Sequence, residues 1–252
     1  MSLDARYVVK PVRKALQLLD VLEAEGRALT LSEVAERAAL PKTTAFRYLY
    51  TLRAAGLVAQ DDAAEAYGVG HRLAVSPARD RAILALKQAA LPEMQRLQRR
   101  FNETVNLGIV ENGAVVYLAM VGSTRSLRME AAVGTRDPLH STSLGKAILA
   151  AREAETQLSD VPQRPPRRTA ATLASRAALA EDLARTAARG YALDMEENEV
   201  GARCVAAAVA GAHPEAALSI SGPVQRMLDD LLPRIGAALI QAAALVSERL
   251  AE

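Results

Sequence analysis

The sequence is poor in residues on which several classes of protein depend. It has one cysteine, Cys204, no tryptophan and two phenylalanines in 252 residues. A single cysteine excludes an intrachain disulfide and fits a reducing compartment. The shortage of aromatic rings argues against binding of single-stranded nucleic acid, in which bases stack on exposed rings. A net charge of +2 gives no overall attraction to DNA, so charge has to be examined locally.

Long apolar runs are also missing. Even the long apolar run near residues 237–246 is too short to span a bilayer. The first ten residues, MSLDARYVVK, lack the apolar core of a signal peptide. We therefore expect a cytoplasmic protein with no membrane contact. Half of the residues are hydrophobic, which is enough for a packed core, and the length allows two ordinary domains.

The first part of the sequence has the pattern of three short helices followed by a hairpin. Thr30 and Glu33 form a capping box that starts the second helix. Pro41 suits the first turn of the third helix, where its missing N–H group would have no partner in any case. The helices are predicted over residues 12–25, 30–37 and 41–55, and the strands over residues 57–60 and 66–69.

A short helix, a break and a second helix are typical of a helix-turn-helix. At about 100° per residue, Ala45, Leu49 and Leu52 fall on the side that faces the core. An arginine on the other side suits guanine edges and phosphates, and hydroxyls suit phosphate oxygens. An ordinary helical hairpin with a solvated polar face has the same pattern, so both interpretations stay open. The candidate DNA-binding residues are Lys42, Thr43, Thr44, Arg47, Tyr50 and Thr51.

The remainder of the sequence predicts a helical stretch over residues 76–100 that Pro92 interrupts. It is interpreted as a linker helix over residues 76–92, followed by the first helix of a second domain over residues 93–252. The linker places Ile83, Leu84 and Leu86 among charged residues, and we expect it to pack against a second copy of itself. Asn112-Gly113 is a strong hairpin signal. The predicted strands are residues 104–110, 114–121, 127–132, 191–194, 204–210 and 216–221, and the predicted helices are residues 142–157, 175–189 and 224–250.

Three features of the second domain indicate a ligand pocket. Residues 141–143 (STS) precede a predicted helix, where free amides and hydroxyls bind anions. Ser219 and Ser221 alternate along a strand and therefore point to one face of it. Asp194 and Cys204 lie near the ends of neighbouring strands. Helix capping by the serines and simple burial of the cysteine are the structural alternatives.

Catalysis by Cys204, with His140 or His213 as its base, is one alternative function. A nucleophile needs a base within hydrogen-bond reach and an oxyanion site, and nothing in the sequence fixes that geometry. The histidines are too scattered for a metal site, and no glycine-rich phosphate loop or dinucleotide fingerprint is present. A pure interaction module would leave the helix-turn-helix unexplained. We therefore expect neither an enzyme nor a bound cofactor.

Residues 29–58 (LTLSEVAERAALPKTTAFRYLYTLRAAGLV) resemble the DNA-binding signature of the IclR family of bacterial regulators. Four further family motifs follow in order, and together they cover almost the whole chain. They are residues 139–147 (LHSTSLGKA), 190–197 (GYALDMEE), 201–207 (GARCVAA) and 219–223 (SISGP).

The resemblance implies an α+β protein. A winged helix-turn-helix over residues 1–75 would be joined by the linker helix to a GAF-like antiparallel sheet flanked by helices. The family likeness also implies a repressor or activator that forms a homodimer or homotetramer and binds a near-palindromic double-stranded DNA operator.

The resemblance further implies an effector pocket, for which the helix start and the two serines predict a small carboxylate, aromatic acids included. Arg125 departs from the family, whose members often have an apolar residue there, and it would add a cation. Its position and that of Met129 rest on a gapless count back from His140. The aligned pocket residues are Arg125, Met129, Ser143, Leu144, Asp194, Cys204, Ser219 and Ser221.

Overall fold

Two compact units, residues 1–76 and residues 77–252, make up the chain. The computed structural model describes residues 9–25, 27–61, 65–70 and 77–251. These residues form seven helices and nine strands in two separate sheets, which confirms the α+β class.

The N-terminal unit has three helices and a small antiparallel sheet of strand order β1-β3-β2. The predicted capping box is present, because the Thr30 hydroxyl accepts a hydrogen bond from the amide of Glu33 and the Glu33 carboxylate accepts one from the amide of Thr30. The strand β1 was not predicted. The elements are α1 (Lys10–Glu25), β1 (Leu29–Thr30), α2 (Leu31–Arg37), α3 (Lys42–Ala54), β2 (Val58–Asp61) and β3 (Ala66–Val69).

Leucines hold this unit together. Leu18, Leu29 and Leu49 are fully buried and pack with Val34 and Tyr67 in one cluster. The four residues between α2 and α3 form the turn of the helix-turn-helix, and β2 and β3 pair as the wing. The predicted winged helix-turn-helix is therefore confirmed.

The C-terminal unit is built on a six-stranded antiparallel sheet of strand order β6-β5-β4-β9-β8-β7. Asn112 and Gly113 both have positive φ and form the predicted two-residue hairpin between β4 and β5. The elements are α4 (Pro77–Phe101), β4 (Thr104–Glu111), β5 (Ala114–Val121), β6 (Arg136–Pro138), α5 (Ser143–Ala150), α6 (Arg176–Arg189), β7 (Ala192–Met195), β8 (Ala202–Val209), β9 (Ala216–Pro223) and α7 (Leu232–Ala251).

The two faces of this sheet pack against different helices. On β9, Leu218 and Ile220 belong to the core that contains residues of α4 and α7. Ala217, the neighbour of Leu218, packs instead with the cluster of α5 and α6. Because side chains alternate along a strand, Ser219 and Ser221 lie on the α5 side of the sheet. The antiparallel sheet flanked by helices is thus confirmed.

Two glycines allow α5 to lie close to its neighbours. A Cβ atom on Gly145 would lie 2.2 Å from the carbonyl oxygen of Leu139, so any side chain there would displace the backbone. A Cβ atom on Gly108, in β4, would lie 2.9 Å from Cδ1 of Leu144. The helix start is therefore held directly over the pocket side of the sheet.

Three predicted elements are wrong in whole or in part. Residues 127–132 form no strand, and the edge strand is β6. Distant side chains bond two backbone carbonyls of this stretch, since Thr104 Oγ1 donates to the Met129 carbonyl (2.5 Å) and Arg226 Nη2 to that of Leu127 (2.9 Å). The helix predicted over residues 142–157 ends at Ala150, and the last helix begins at Leu232 rather than at residue 224.

The helix α4 also differs from the prediction, because it continues through Pro92 to Phe101. Proline removes the hydrogen bond to the carbonyl of Gln88, four residues earlier. Both Pro92 and Gln88 are exposed, so water reaches the carbonyl that loses its partner. The helix is described from Pro77 onward, and position 76 of the predicted linker lies outside the described residues.

Candidate functional site

The exposed side of α3 carries the predicted DNA-binding residues. Ala45, Leu49 and Leu52 are buried, as the helical spacing predicts. Of the six candidates, Thr44 is half-buried and the other five are exposed: Lys42, Thr43, Arg47, Tyr50 and Thr51.

Thr51 already has a hydrogen-bond partner, whereas the two cations form no ion pair among the described residues. The Thr51 hydroxyl donates to the Arg47 carbonyl at 2.9 Å, so its proton is used within the helix and its oxygen remains an acceptor. Within the described part of the chain, no carboxylate forms an ion pair with Lys42 or Arg47. Both cations are therefore available to a phosphate or a base edge.

An exposed aromatic pair lies beside these cations. The rings of Phe46 and Tyr50 are 6.3 Å apart between centroids and tilted by 39°, and the two residues are 47% and 64% exposed. Phe46 was not among the predicted DNA-binding residues. On a helical wheel Phe46 lies between the buried side and Arg47. This position is the signal in the sequence that indicates a partly exposed ring. Apolar side chains in the major groove contact thymine methyl groups.

The candidate pocket is a cavity of about 250 Å³ on the α5 side of the C-terminal sheet. Strands β4, β8 and β9, the start of α5 and residues 129–132 line it. Seven of the eight predicted residues are among its lining: Met129, Ser143, Leu144, Asp194, Cys204, Ser219 and Ser221.

Arg125, the eighth predicted residue, does not line this cavity. Its Nη1 atom lies 2.6 Å from Oε1 of Glu103, a carboxylate that is nearly fully buried. Arg226 binds the same carboxylate through Nε (2.5 Å) and Nη2 (2.8 Å). The guanidinium that does line the cavity is Arg168, which lies in a proline-rich loop distant in sequence.

The start of α5 presents backbone donors to the cavity. Thr142 is the N-cap, and its hydroxyl accepts a hydrogen bond from the amide of Gly145 (3.1 Å). The amides of Ser143 and Leu144 come before the first intrahelical hydrogen bond. Ser141, by contrast, is fully buried and donates to Asn198 Oδ1 (2.9 Å), so it is not a lining residue.

The two serines of β9 share one partner on β4. Asn106 Nδ2 donates to Ser219 Oγ at 3.3 Å and to Ser221 Oγ at 3.2 Å. Asn106 is only 2% exposed and was missed by the sequence analysis. It stands one residue from apolar Val105 and Leu107, and this alternation marks it as facing away from the core.

Asp194 is held at the end of β7 by the backbone. Its Oδ1 atom accepts hydrogen bonds from the amides of Glu197 (2.8 Å) and Asn198 (3.3 Å). Burial raises the pKa of this carboxyl to about 7, and the Glu197 charge adds to the effect, while Lys146 opposes it. A protonated Asp194 can donate a hydrogen bond into the cavity.

Tyr117 and Asp137 form a second polar end of the cavity. The Tyr117 hydroxyl donates to Asp137 Oδ2 at 3.2 Å, and Arg168 Nη2 lies 4.0 Å from Asp137 Oδ1. Burial raises the pKa of the Tyr117 hydroxyl, so it remains a neutral donor. Neither Tyr117 nor Asp137 belongs to a motif that singled it out in the sequence.

The arrangement does not provide a cysteine nucleophile with a base. Burial raises the pKa of the Cys204 thiol, and the Asp194 charge adds to this, so the sulfur stays protonated. The ring of His140 bonds to the carbonyl of Pro166 through Nε2 (2.9 Å). His213 lies in the β8–β9 connection, five residues of strand beyond the Cys204–Ser221 pair and thus roughly 17 Å away along the sheet.

Neither a metal site nor a membrane span is found in the described parts of the chain. Their histidine, cysteine, aspartate and glutamate side chains form no group of three that would hold a metal ion. None of the helices there has both the length and the apolar composition needed to cross a bilayer.

Two family profiles match the chain. The IclR helix-turn-helix domain matches residues 11–62, and the bacterial transcriptional regulator IclR C-terminal domain matches residues 82–248. The HTH-type transcriptional regulator BhcR of Paracoccus denitrificans is 37% identical over 238 residues, which are 93% of this chain and 85% of BhcR. The transcriptional repressor IclR of Escherichia coli is 34% identical over 244 residues, which are 93% of this chain and 88% of IclR.

Solved structures show the same likeness. The crystal structure of Thermotoga maritima IclR matches with a TM-score of 0.64 and 26% identity, covering 96% of this chain and 99% of that one. An IclR homologue from Microbacterium hydrocarbonoxydans, complexed with 4-hydroxybenzoate, matches with a TM-score of 0.61, 26% identity and the same coverage. The relatives named here are transcription regulators.

Proposed function

Because the chain belongs to the IclR family of bacterial DNA-binding transcription regulators, and not to a family of enzymes, we propose that it is a regulator whose operator binding responds to a small organic acid. Residues 1–75 bind a pseudo-palindromic operator, residues 76–92 link the two parts, and residues 93–252 bind the effector and form the oligomer. The observation that carries the proposal is that the start of α5 and the residues Ser219 and Ser221 line the same cavity.

The exposed side of α3 supports a role in reading the operator. Lys42 stands in its first turn, where a cation meets a phosphate, and Arg47 stands one turn later, where a guanidinium reaches base edges. Phe46 and Tyr50 extend this surface with apolar rings.

The polarity of the cavity favours a carboxylate at the end formed by α5 and β9. The amides of Ser143 and Leu144 and the hydroxyls of Ser219 and Ser221 are donors, and a helix N-terminus favours negative charge. The Microbacterium homologue holds 4-hydroxybenzoate, which is an acid of this kind.

Four carboxyl groups also line the cavity, and three of them are exposed or have polar partners. Glu130 is 62% exposed and pairs with Arg128, and Glu199 is exposed. Asp137 accepts a hydrogen bond from the Tyr117 hydroxyl and lies beside Arg168. Asp194, with its pKa raised to about 7 by burial, is largely protonated in mildly acidic solution. In its protonated form Asp194 does not repel an anionic ligand from the serines.

The helix α4 supports the proposed assembly into a homodimer or homotetramer. Leu84 and Leu91 are 55% and 45% exposed and lie seven residues apart, so they share one face of the helix. Leu86, which was predicted to face the second copy together with Leu84, is buried in the core of its own chain, and Ile83 packs against that core. The face with Leu84 and Leu91 is the one left for a second copy.

A selection experiment followed by ligand titration tests the proposal. The full-length protein is used to enrich DNA duplexes from a random pool, and its affinity for the enriched duplex is measured by fluorescence anisotropy. We expect a pseudo-palindrome with half-sites about one helical turn apart and an affinity that falls steeply with salt. An organic acid from a thermal-shift screen should then change operator affinity.

The variant with Ser219→Ala and Ser221→Ala provides the control. It should bind the acid at least tenfold more weakly and bind the operator as the parent does when no acid is present. Equal binding to every duplex in the pool would contradict the operator assignment. Binding of neutral or cationic ligands alone would contradict the assignment of the cavity to an acid.

A further inference from the structure

Phe46 presents a large apolar ring on the exposed side of α3. The leucines of the same helix, Leu49 and Leu52, are buried in the core of the N-terminal unit. Phe46, by contrast, is 47% exposed. Its contact with the Tyr50 ring, four residues later, is a pair that stabilises a helix only slightly. Contacts within the described part of the unit therefore leave much of the Phe46 ring in solvent.

Available cations lie beside this ring. Lys42 precedes Phe46 by about one turn of α3, and Arg47 follows it directly. Neither cation forms an ion pair with a carboxylate among the residues that the structure describes. Two such cations favour a polyanion as the partner of this surface, and that polyanion must also offer the ring an apolar group.

Double-stranded DNA presents one such group in its major groove. The base edges there carry hydrogen-bond donors and acceptors, and their apolar group is the C5-methyl group of thymine. The Phe46 ring has no donor or acceptor, so it reads a base edge through apolar contact alone. Phe46 is the fifth residue of α3, and the N-terminal residues of a recognition helix are those that contact bases.

We infer that Phe46 reads a thymine in each half-site of the operator, through contact of its ring with the C5-methyl group. This inference rests on the proposed function, since it specifies one base of the DNA that α3 binds. The Tyr50 ring, 6.3 Å away between centroids, lies beside Phe46 and restricts its movement. Phe46 is thus a residue that determines operator specificity, in addition to the predicted DNA-binding residues.

Exchange of single thymines for deoxyuridine tests the inference, because the exchange removes only the C5-methyl group. The probe is the duplex that the full-length protein enriches from the random pool, with each thymine and its symmetry mate exchanged in turn. One such exchange should weaken binding by about fifteenfold in fluorescence anisotropy, since burial of one carbon contributes about fourfold in each half-site. If no exchange weakens binding by more than about threefold, the inference is overturned, while operator binding stands.

The Phe46→Ala variant assigns the methyl contact to its residue. The variant should bind the thymine and deoxyuridine duplexes with affinities within about twofold of each other. If its affinity is too low to measure, both duplexes are compared at a lower salt concentration, at which binding is tighter. A preference for thymine that arose from the shape of the DNA would remain in this variant. A preference that persists in Phe46→Ala therefore contradicts the role of Phe46.

Thr43→Ser is the matched control, because it removes a methyl group from a neighbouring exposed side chain of α3. It should keep the thymine preference of the parent, whatever it does to affinity. Loss of the preference in Thr43→Ser and not in Phe46→Ala would assign the methyl contact to Thr43 and overturn the inference. If no duplex is enriched from the pool, the proposed function fails together with the inference.

Discussion

Arg125 and Glu103 form an ion pair of 2.6 Å in which the carboxylate is 2% exposed and the guanidinium side chain is 42% exposed. Glu103 lies two residues after the end of α4, and Arg226 binds it from the turn after β9. Arg226 Nη2 also donates to the Leu127 carbonyl, so one buried charge fastens the chain segment that leads to Met129 and the cavity. The arginine predicted to contact an effector thus has an anchoring role in the structure.

Glu103→Gln should destabilise the C-terminal unit by about 1–3 kcal/mol. The substitution removes the charge that two guanidinium groups share, and the loss is reduced because both arginines are partly solvated. Urea denaturation of the full chain measures the change. Glu130→Gln is the matched control, since its exposed pair with Arg128 should contribute less than about 1 kcal/mol. An equal loss in both variants would show that burial of Glu103 is unimportant.

Arg47→Ala should weaken operator binding by about 1–3 kcal/mol, because Arg47 is exposed on α3 and available to a base edge. The control is Arg37→Ala, which removes the same charge from α2, where Arg37 Nε pairs with Glu25 at 2.9 Å. Anisotropy titrations at one salt concentration compare the two. If both variants lose affinity equally, Arg47 acts only through its charge.

Lys146→Met should destabilise the protein by roughly 3–5 kcal/mol, measured by urea denaturation. The Lys146 ammonium is fully buried, 2.9 Å from Asp182 Oδ2 and 2.5 Å from Glu197 Oε1. Its removal leaves two buried carboxylates facing each other. The triple variant with Asp182→Asn and Glu197→Gln should recover part of the loss, since it leaves no unpaired charge. A triple variant less stable than Lys146→Met would contradict this account.

Asp194 should make stability fall as the pH rises from about 4 to about 7. The folded chain holds the Asp194 proton more tightly than the unfolded chain, because burial raises the pKa from 3.8 to about 7. Between these values the folded state binds more protons, so each step up in pH favours unfolding, by on the order of 4 kcal/mol in total. Urea denaturation across this range should show a shallower decline for Asp194→Asn. An identical decline in both proteins would assign it to other groups.

Leu84→Glu should shift the oligomer toward monomers, because a charge would be placed on the exposed face of α4. Light scattering after size exclusion gives the mass at several protein concentrations. Gln88→Glu adds the same charge one turn along the helix and provides the comparison for a purely electrostatic effect. An unchanged mass for Leu84→Glu would show that the copies associate through another surface.

Local signals in the sequence predicted the elements that local chemistry decides. The capping box of Thr30 and Glu33 and the turn at Asn112-Gly113 need only neighbouring residues, and both are present. The alternation of Ser219 and Ser221 likewise follows from strand geometry alone.

Tertiary contacts decided the elements that the sequence missed. Residues 127–132 form no strand, and Thr104 and Arg226 bond the carbonyls of Met129 and Leu127 from distant parts of the chain. The helix α5 stops at Ala150, and the next residues are held by Arg152, which pairs with Asp160 and Glu215. Arg168 and Asn106 reach the cavity through the same long-range folding, which no short motif records.

The alternation of side chains along β9 also constrains how the sequence of this protein can evolve. Leu218 and Ile220 serve the core, while Ser219 and Ser221 serve the cavity, so single substitutions at the serines leave the core intact. Insertion or deletion of one residue would exchange the two sets and disrupt both. New ligand preferences are therefore expected to evolve by replacement of residues along a strand whose length stays constant.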